Sequence, residues 1–282
     1  MIALFADDSR YPRALRDLDD PPDPLWLDGD PSLLERPAVS IVGTRRMTPY
    51  GARVAGELAR AAAAAGVVVI SGLAQGIDSV AHEAALDEGG VTVAVLGAGV
   101  TRYLADAGGR RRLLAHAIRG HGALVSEFPP DAPAQRWTFA RRDSTIAALG
   151  AVTVVVEAPA GSGALITASE ARRLRRPLYA IPGPIGAAAS AGTNELIAVG
   201  AARALTGAPM LLVELGVSAA PRAGDDPSDD ARVLDALAGS PSDPDALARK
   251  LGIAAPALAT VVARLIVRGA ITSAPDGRLV RR

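Results

Sequence analysis

The feature that most constrains the fold is a regular alternation of short β-branched segments and longer helical patterns through the middle of the chain. The Val- and Ile-rich segments have the composition of strands buried on both faces of a parallel sheet. Strands that alternate with helices in this way indicate right-handed crossovers, so the sequence predicts an α/β, Rossmann-like domain. The predicted strands span 38–43, 67–71, 91–96, 123–126, 151–157 and 178–181, and the predicted helices span 50–65, 76–89, 110–120, 140–149 and 163–175.

Five of these strands end in turns of small residues. Because the carboxyl ends of parallel strands share one edge of the sheet, we expect the five turns to converge on one groove. The first turn is the end of AVSIVGTRR (38–46). There Gly43 lets the backbone approach a ligand, and Arg45 and Arg46 supply cations. Phosphate is the natural ligand of such a site. The other turns are SGLAQG (71–76), LGAG (96–99), SEFP (126–129) and EAPAGSG (157–163).

The net charge is zero, but it is unevenly distributed along the chain. Residues 1–36 hold four arginines and nine acids, a balance of −5, whereas residues 37–207 hold 17 arginines and 12 acids, a balance of +5. Residues 208–282 hold nine basic and nine acidic residues. A basic central block indicates binding to a polyanion, although a solvated arginine-rich surface has the same composition.

Composition also limits the chemistry. Without cysteine, neither a disulfide nor a thiolate metal site can form, and the three histidines have no metal-ligand spacing, so we expect no metal and no cofactor. The first residues lack a cleavable hydrophobic core, and no stretch reaches the roughly 18 apolar residues of a membrane span. We therefore expect a cytoplasmic protein that does not associate with membranes.

One pair of titratable residues stands apart from the groove motifs. Asp78 and His82 lie four residues apart on one face of a predicted helix. They form either an acid–base pair or an internal hydrogen bond, with Asp78 favoured by the helix dipole. The lack of a neighbouring nucleophile or metal partner favours the structural interpretation.

The segment that precedes the α/β block, residues 1–36, is dense in Asp and Pro. It predicts an extended lead-in whose Leu25, Trp26 and Leu27 dock on the main domain. We expect that domain to span residues 37–215.

The end of the predicted main domain carries a short helix within 192–204, for which Thr193 is the predicted N-cap. The apolar stretch 199–215 is a candidate for self-association or, alternatively, for packing on its own sheet. Residues 216–228, rich in Ala, Gly, Pro and Asp, predict a linker. Residues 229–282 hold three helical segments and a hairpin around Pro-Asp-Gly, which predicts a small C-terminal winged-helix domain.

Taken together, the motifs resemble the DNA-processing protein A (DprA, or Smf) family. They occur in family order over about 160 residues, and the combination is far more specific than any single glycine turn. The resemblance implies a dimeric, non-catalytic protein that binds and protects single-stranded DNA and helps to load the RecA recombinase during natural transformation. The matching motifs are IVGTRRMTPYG (41–51), SGLAQGIDSVAHEAAL (71–86), VAVLGAG (93–99), SEFPP (126–130), EAPAGSGALITASEA (157–171), YAIPG (179–183) and GTNELIAVGA (192–201).

A binder of single strands needs cations along the phosphate path and planar groups that stack on bases. The RWTFARR stretch (136–142) holds both kinds of group. Its Trp137 and Phe139 suit base stacking or, alternatively, the core, and Arg45 suits a phosphate or a surface ion pair. The predicted DNA-binding residues are Gly43, Thr44, Arg45, Arg46, Ser71, Gly72, Gly97, Gly99, Ser126, Arg136, Phe139, Arg141, Arg142, Ser162, Gly163 and Thr167.

Two departures from the family pattern affect this groove. In RRDSTI (141–146), Asp143 and Ser144 stand where the family has Asn and Arg, so one cation is replaced and an anion is gained. After the third strand, TRYLADAGG (101–109) replaces the family's Tyr-Pro run. Both changes lie on the side of the groove that is expected to bind DNA.

Two other functions remain as alternatives. Enzymes of the phosphoribohydrolase (lysine-decarboxylase-like) type carry a PGGxGT loop roughly where this chain has EAPAGSGALIT, but the PGG run is missing here. A transcriptional regulator would read DNA with the winged helix, yet the predicted recognition helix near 256–268 carries only Arg264 and Arg268 as cations.

Overall fold

The computed structural model describes residues 1–217 and 227–281. Contacts divide the chain into two compact units, Met1–Ser218 and Ala219–Arg282, each with its own hydrophobic core. The first unit contains a nine-stranded sheet, which confirms the predicted α/β class. Its strands are β1 (Ile2–Leu4), β2 (Leu25–Gly29), β3 (Ala38–Val42), β4 (Val68–Ser71), β5 (Thr92–Leu96), β6 (Ala123–Ser126), β7 (Val152–Val155), β8 (Leu178–Ala180) and β9 (Arg203–Ala204).

The strand order is β1-β2-β6-β5-β4-β3-β7-β8-β9. Strands β3 to β9 pair in parallel, while β2 runs antiparallel to β6 and β1 antiparallel to β2. The chain builds outward from β3 to β6 and then returns to place β7 on the other side of β3. The carboxyl ends of β3 and β7 therefore form the topological switch point, where open α/β sheets bind their ligands.

The N-terminal segment is part of this sheet. The predicted docking of Leu25 and Leu27 occurs through strand β2, in which both side chains are fully buried. The prediction missed that β1 and β2 are strands. Three- and five-residue strands flanked by Asp and Pro give too little alternation to be recognised from sequence.

Eight α-helices cover the sheet. Strand β3 shows how the two faces divide, because Val39 and Ile41 pack against helices α1, α2 and α8, while Ala38 and Val42 pack against α5 and α6. The helices are α1 (Pro49–Ala64), α2 (Ile77–Asp87), α3 (Val100–Asp106), α4 (Gly109–His121), α5 (Arg136–Leu149), α6 (Ala164–Arg173), α7 (Ala191–Ala198) and α8 (Ala208–Glu214).

The end of the first unit differs from the prediction. Helix α7 begins at Ala191 and ends at Ala198, so Thr193 lies inside it and does not cap it. The Thr193 hydroxyl instead donates to the Ser190 carbonyl at 3.1 Å. In the stretch proposed for self-association, Leu211 and Leu212 are buried within the same unit, while Val213 is exposed.

The second unit contains three helices, α9 (Pro227–Ala236), α10 (Pro244–Leu251) and α11 (Ala255–Val267), followed by strands β10 (Ile271–Ser273) and β11 (Leu279–Arg281). The Asp243 carboxylate caps α10, and Gly252 ends it in the left-handed region at a φ of 66°. Most of the predicted linker, residues 218–226, lies outside the described residues.

Within the described ranges, no single helix is long and apolar enough to cross a bilayer. Helices α10 and α11 reach that length and apolarity only when taken together, across a bend of 113°.

Candidate nucleic-acid interface

Two adjoining cavities lie at the carboxyl ends of the parallel strands. The larger, of about 760 Å³, is walled by the turns after β3 and β7, by α5 and by the first turn of α6. The smaller, of about 300 Å³, is walled by the turns after β4 and β5 and by α3, α4 and α5. Arg45, Phe139 and Arg142 line both cavities. Four of the five predicted turns thus converge into one groove, which runs across the ends of β3, β4, β5 and β7. The fifth, SEFP (126–129) after β6, lines neither cavity.

The turn after β3 presents two arginines to this groove. Thr44 is buried, and its backbone N–H donates to the Glu157 carbonyl at 2.7 Å. Its hydroxyl accepts a hydrogen bond from the Arg46 N–H at 3.2 Å, which fixes the backbone of the turn. Arg45 and Arg46 themselves are exposed, and no carboxylate of the described residues lies within 4 Å of either guanidinium. The turn therefore holds two cations that are free to meet an anion.

Gly43 has a packing role in addition to the predicted one. A Cβ at this position would lie 2.6 Å from Cγ1 of Ile77. The glycine thus allows the start of α2 to pack against β3, although it also lines the larger cavity. Close packing between strand and helix, as well as ligand approach, requires a small residue here.

Two guanidinium groups contact the Phe139 ring. The Arg45 guanidinium carbon is 5.5 Å from the ring centroid, and that of Arg142 is 5.8 Å away. Both distances are within the range of a cation–π interaction, which is worth about 0.5–1 kcal/mol at exposed sites and more where it is desolvated. This Arg45–Phe139–Arg142 stack forms the wall that the two cavities share.

Arg142 is only 5% exposed, and its charge is opposed by two buried carboxylates. Its Nη1 lies 3.9 Å from Oδ2 of Asp78, and its Nε lies 3.3 Å from Oδ1 of Asp143 without meeting hydrogen-bond geometry. Burial raises the pKa of Asp78, and it raises the pKa of Asp143 to about 7. Gly72 makes room for the guanidinium, because a Cβ there would lie 1.3 Å from Nη1.

The N-terminus of helix α6 forms the opposite wall of the larger cavity. Ser162, Gly163 and Thr167 line it, and the first turn contains no acidic residue. The N–H groups of Leu165 and Ile166 in this turn donate to the carbonyls of Ser162 and Gly163, so the positive end of the dipole of this ten-residue helix is what favours an anion there. The wall is therefore suited to phosphate, in agreement with the cations across the groove.

Several of the predicted DNA-binding residues form hydrogen bonds or packing contacts inside the fold. The Ser71 hydroxyl donates to the Ile41 carbonyl at 2.6 Å, and the Ser126 hydroxyl donates to the Ala98 carbonyl at 2.8 Å. Both side chains are fully buried, so neither is accessible to a ligand. Gly99 packs against the carbonyls of Pro129 and Pro130, where a Cβ would lie 2.0–2.2 Å from the oxygens.

Arg141 points away from the groove. It donates to Oε2 of Glu127 at 2.7 Å and to Oδ2 of Asp20 at 2.6 Å, on the side of α5 that faces the N-terminal segment. Burial raises the pKa of Glu127, with Arg141 and Thr145 opposing that shift. Arg136, by contrast, is exposed and lines the larger cavity. Of the arginines predicted in α5, Arg136 and Arg142 are in the groove.

Trp137 is not a core residue. It is 56% exposed, its Nε1 donates to Oε1 of Gln135 at 2.6 Å, and its ring meets Phe128 edge-on at 5.5 Å. More than half of the side chain is therefore accessible to a ligand. The core alternative for Trp137 is therefore wrong.

The predicted hydrogen bond between Asp78 and His82 is also absent. His82 Nδ1 lies 2.6 Å from the Thr92 hydroxyl, while Asp78 accepts from the Ala74 N–H at 3.4 Å and faces Arg142. Burial lowers the pKa of His82 to about 3. The two residues thus stabilise different parts of the fold, with no acid–base pairing between them.

Sequence reasoning missed part of the smaller cavity. Gln75, Tyr103 and Arg111 line it, and the Tyr103 hydroxyl donates to the Leu73 carbonyl at 3.2 Å. Tyr103 lies in α3, inside the segment that departs from the family pattern. The arginine run that opens α4 was the available signal for Arg111.

A further cavity, of about 590 Å³, lies at the amino edge of the sheet. It is lined by Arg13, Arg36 and Arg176 together with Asp17 and Glu35. The Arg176 guanidinium pairs with Asp17 at 2.8 Å, so acids offset much of this positive charge. The groove at the carboxyl edge, at the switch point, is the better anion site.

Replacing Gly97 with alanine is expected to disturb the arginine stack. The added Cβ would lie 2.7 Å from Cδ1 of Phe139, so the ring must move. Overpacking of this kind costs about 1–3 kcal/mol of unfolding free energy. Urea denaturation followed by tryptophan fluorescence measures the unfolding free energy of the first unit, because Trp26 and Trp137 both belong to that unit.

Gly120→Ala is the matched control for this change. A Cβ at Gly120 meets nothing within 4 Å, and the residue lies inside α4, where alanine is the better helix former. An unfolding free energy of Gly97→Ala equal to that of wild type would contradict the close packing at Phe139.

Comparison with known proteins agrees with this geometry. The model of the family described as DNA recombination-mediator protein A matches residues 2–216, and that of the DprA winged helix domain matches residues 217–277. Protein Smf of Escherichia coli is 41% identical over 196 residues, which cover 70% of this chain and 52% of the relative. A putative DNA processing protein DprA of Mycobacterium tuberculosis is 45% identical over 179 residues, which cover 63% of this chain and 45% of the relative. The chain thus spans about half the length of these curated relatives.

Two solved structures share the fold. DNA processing protein A of Streptococcus pneumoniae is 34% identical with a TM-score of 0.70, and the match covers 76% of this chain and 74% of that one. DNA processing protein A of Helicobacter pylori is 31% identical with a TM-score of 0.65, and the match covers 72% and 92%. The study of the Helicobacter pylori protein concerns its single-stranded DNA binding mode.

Proposed function

Because the chain belongs to the DNA recombination-mediator protein A family, we propose that it binds single-stranded DNA in the groove at the carboxyl edge of the sheet. The observation that carries this proposal is the exposed pair Arg45 and Arg46 beside the Arg45–Phe139–Arg142 stack. The exposed cations offer contacts to phosphates, and the exposed ring of nearby Trp137 offers a planar surface to a base.

The length of the groove favours a strand over a single nucleotide. A mononucleotide site needs one or two strand ends, whereas these two cavities extend across four. Exposed Trp137, next to Arg136 in the wall of the larger cavity, continues the surface beyond that cavity. Phosphate contacts spaced along such a path bind without base specificity.

We propose binding without catalysis. The acid in the EAPAGSG turn, Glu157, is 2% exposed, and its two oxygens accept hydrogen bonds from the Thr48 hydroxyl at 2.5 Å and N–H at 2.9 Å. The carboxylate therefore anchors the start of α1 and does not line the groove. The missing PGG run favours binding over phosphoribohydrolase chemistry. Incubation of the protein with AMP tests the point, since release of adenine would support hydrolysis.

By family resemblance, we also propose that the bound strand is protected and passed to the RecA recombinase during natural transformation, and that the protein acts as a homodimer. The exposed Val199 and Val213 are the apolar groups that the stretch 199–215 leaves available for self-association. Molecular mass in solution and RecA filament assembly on coated DNA test these two points separately.

Binding to single- and double-stranded DNA of equal length is the direct test of the groove. We expect tighter binding to a single strand, because a duplex keeps its bases stacked inside, where an aromatic side chain cannot stack on them. For three to five phosphates, the logarithm of the association constant should fall with the logarithm of salt with a slope of about −2 to −3.5. Fluorescence anisotropy at several salt concentrations measures the two affinities and the salt slope. Equal affinity for the duplex would contradict the proposal.

A further inference from the structure

The groove wall contains more buried negative charge than its buried cation can offset. Asp78, Arg142 and Asp143 are 5%, 5% and 8% exposed, and the Arg142 guanidinium faces both carboxylates. One guanidinium neutralises one carboxylate, so the cluster carries a net charge of −1 when both acids are ionised. A buried site that lacks a second cation favours protonation of one acid.

The charged groups around Asp143 come from three elements. Arg142 faces it from its own helix, Asp78 from α2 and Arg45 from the turn after β3. Arg46 and Arg136 are the other charged groups that line the same cavity. Burial raises the pKa of Asp143 to about 7, while Arg142 and Arg45 oppose that shift and Asp78 adds to it.

Neither His82 nor Glu127 supplies a second titrating group at this wall in the neutral range. His82 stays neutral over the neutral range, because its pKa is lowered to about 3. Glu127 lies on the other side of α5, with Arg141 and Thr145. Asp78 accepts a hydrogen bond from the Ala74 N–H, which opposes the effect of burial on its pKa, whereas Asp143 accepts no hydrogen bond from the described residues. This difference favours Asp143 as the site of the proton.

We propose that DNA binding is linked to protonation of Asp143, so that the groove takes up as much as one proton when a phosphate enters. This inference rests on the proposed function. A phosphate near Arg45 and Arg142 repels an ionised Asp143 carboxylate and competes with it for the same guanidinium groups. The protonated acid removes that repulsion and offers a hydrogen-bond donor to a phosphate oxygen.

The direction of the pH dependence follows from this linkage. Below about pH 7, the Asp143 carboxyl is mostly protonated in the free protein, so binding is tight and changes little with pH. Above pH 7, binding requires proton uptake, and the dissociation constant rises by up to tenfold per pH unit until the pKa of the complex is reached. Affinity is therefore highest on the acidic side of neutrality.

The test compares wild type with Asp143→Asn, which keeps the size of the side chain and removes its titration. Binding of an oligothymidylate with a 5′-hydroxyl end is measured between pH 6 and 8.5 at constant ionic strength, since a terminal phosphate titrates near pH 6. We expect the wild-type dissociation constant to rise about three- to tenfold over this range. The variant should bind at every pH about as tightly as wild type binds at pH 6.

Asp87→Asn, an exposed acid at the end of α2, is the matched control and should keep the wild-type pH dependence. Calorimetry of wild type in two buffers of different ionisation enthalpy measures proton uptake without any variant. Uptake at pH 7.5 supports the proposal.

A wild-type affinity that is independent of pH, without proton uptake, would overturn this inference and leave DNA binding intact. The same conclusion follows if Asp143→Asn keeps the wild-type pH dependence, which would place the proton elsewhere. A wild-type protein that fails to bind the oligonucleotide at any pH would remove both the proposed function and the inference that rests on it.

Discussion

Arg142→Ala is expected to lower the free energy of unfolding of the first unit by about 3–5 kcal/mol at pH 8. The substitution leaves Asp78 and Asp143 buried without their shared cation. It also removes one of the two guanidinium groups that hold the Phe139 ring. Removal of one partner from a buried ionic cluster is costly because the remaining charges lose their compensation.

The loss should be smaller in mild acid. Burial raises the pKa of both carboxyls above their ordinary value, so their ionised forms destabilise the folded state. That destabilisation is present above the folded-state pKa and is relieved as the pH falls toward the unfolded value. Loss of Arg142 raises both pKa values further, so we expect the difference from wild type to narrow between pH 8 and pH 5.

Urea denaturation followed by tryptophan fluorescence at pH 8 and pH 5 measures the effect. Arg112→Ala, an exposed position in α4, is the control and should change the unfolding free energy by no more than about 0.5 kcal/mol. A loss of the same size at both pH values would mean that packing around Phe139, and not charge, accounts for the instability.

The alternation of strands and helices was enough to predict the sheet and the convergence of four of its turns. Each of the six predicted strands lies within two residues of an observed one, because buried β-branched runs end abruptly at Gly, Ser and Pro. The switch point at β3 and β7 follows from the order of the strands in space, which the periodicity of a single sequence does not specify. The resemblance to the family supplied the nature of the ligand.

The directions of neighbouring side chains on α5 were harder to predict. Successive residues of a helix point about 100° apart, and the sequence alone does not show whether Arg141 or Asp143 shares the groove side with Arg142. Only the packed structure shows that Arg141 pairs with Asp20 of the N-terminal segment, 121 residues away. Asp143, the residue after Arg142, does lie in the cavity wall beside it.

The serines at strand ends illustrate a second limit. Ser71 and Ser126 occupy the last position of their strands, where the sequence suggests exposure at the edge. Both hydroxyls instead satisfy a neighbouring backbone carbonyl inside the fold. A small polar side chain can form such a bond without leaving a buried group unpaired, and sequence alone does not distinguish the two roles.

The double change Arg45→Ala, Arg46→Ala is expected to weaken binding of single-stranded DNA about 10- to 100-fold at moderate salt. Both side chains are exposed on a turn whose backbone is fixed by Thr44 and Glu157, so the fold should tolerate their loss. For two lost phosphate contacts, the slope of log association constant against log salt should become smaller in magnitude by about 1.4.

The matched control is Arg60→Ala, Arg172→Ala, which removes the same charge. Both residues are exposed, and both lie in the carboxyl-terminal half of their helices, outside the two cavities of the groove. If non-specific attraction by the basic central block dominated, the control would weaken binding as much as the turn variant. If the turn contacts phosphate directly, only Arg45→Ala, Arg46→Ala reduces both affinity and salt slope. Fluorescence anisotropy of both variants across salt distinguishes a localised groove from a diffusely charged surface.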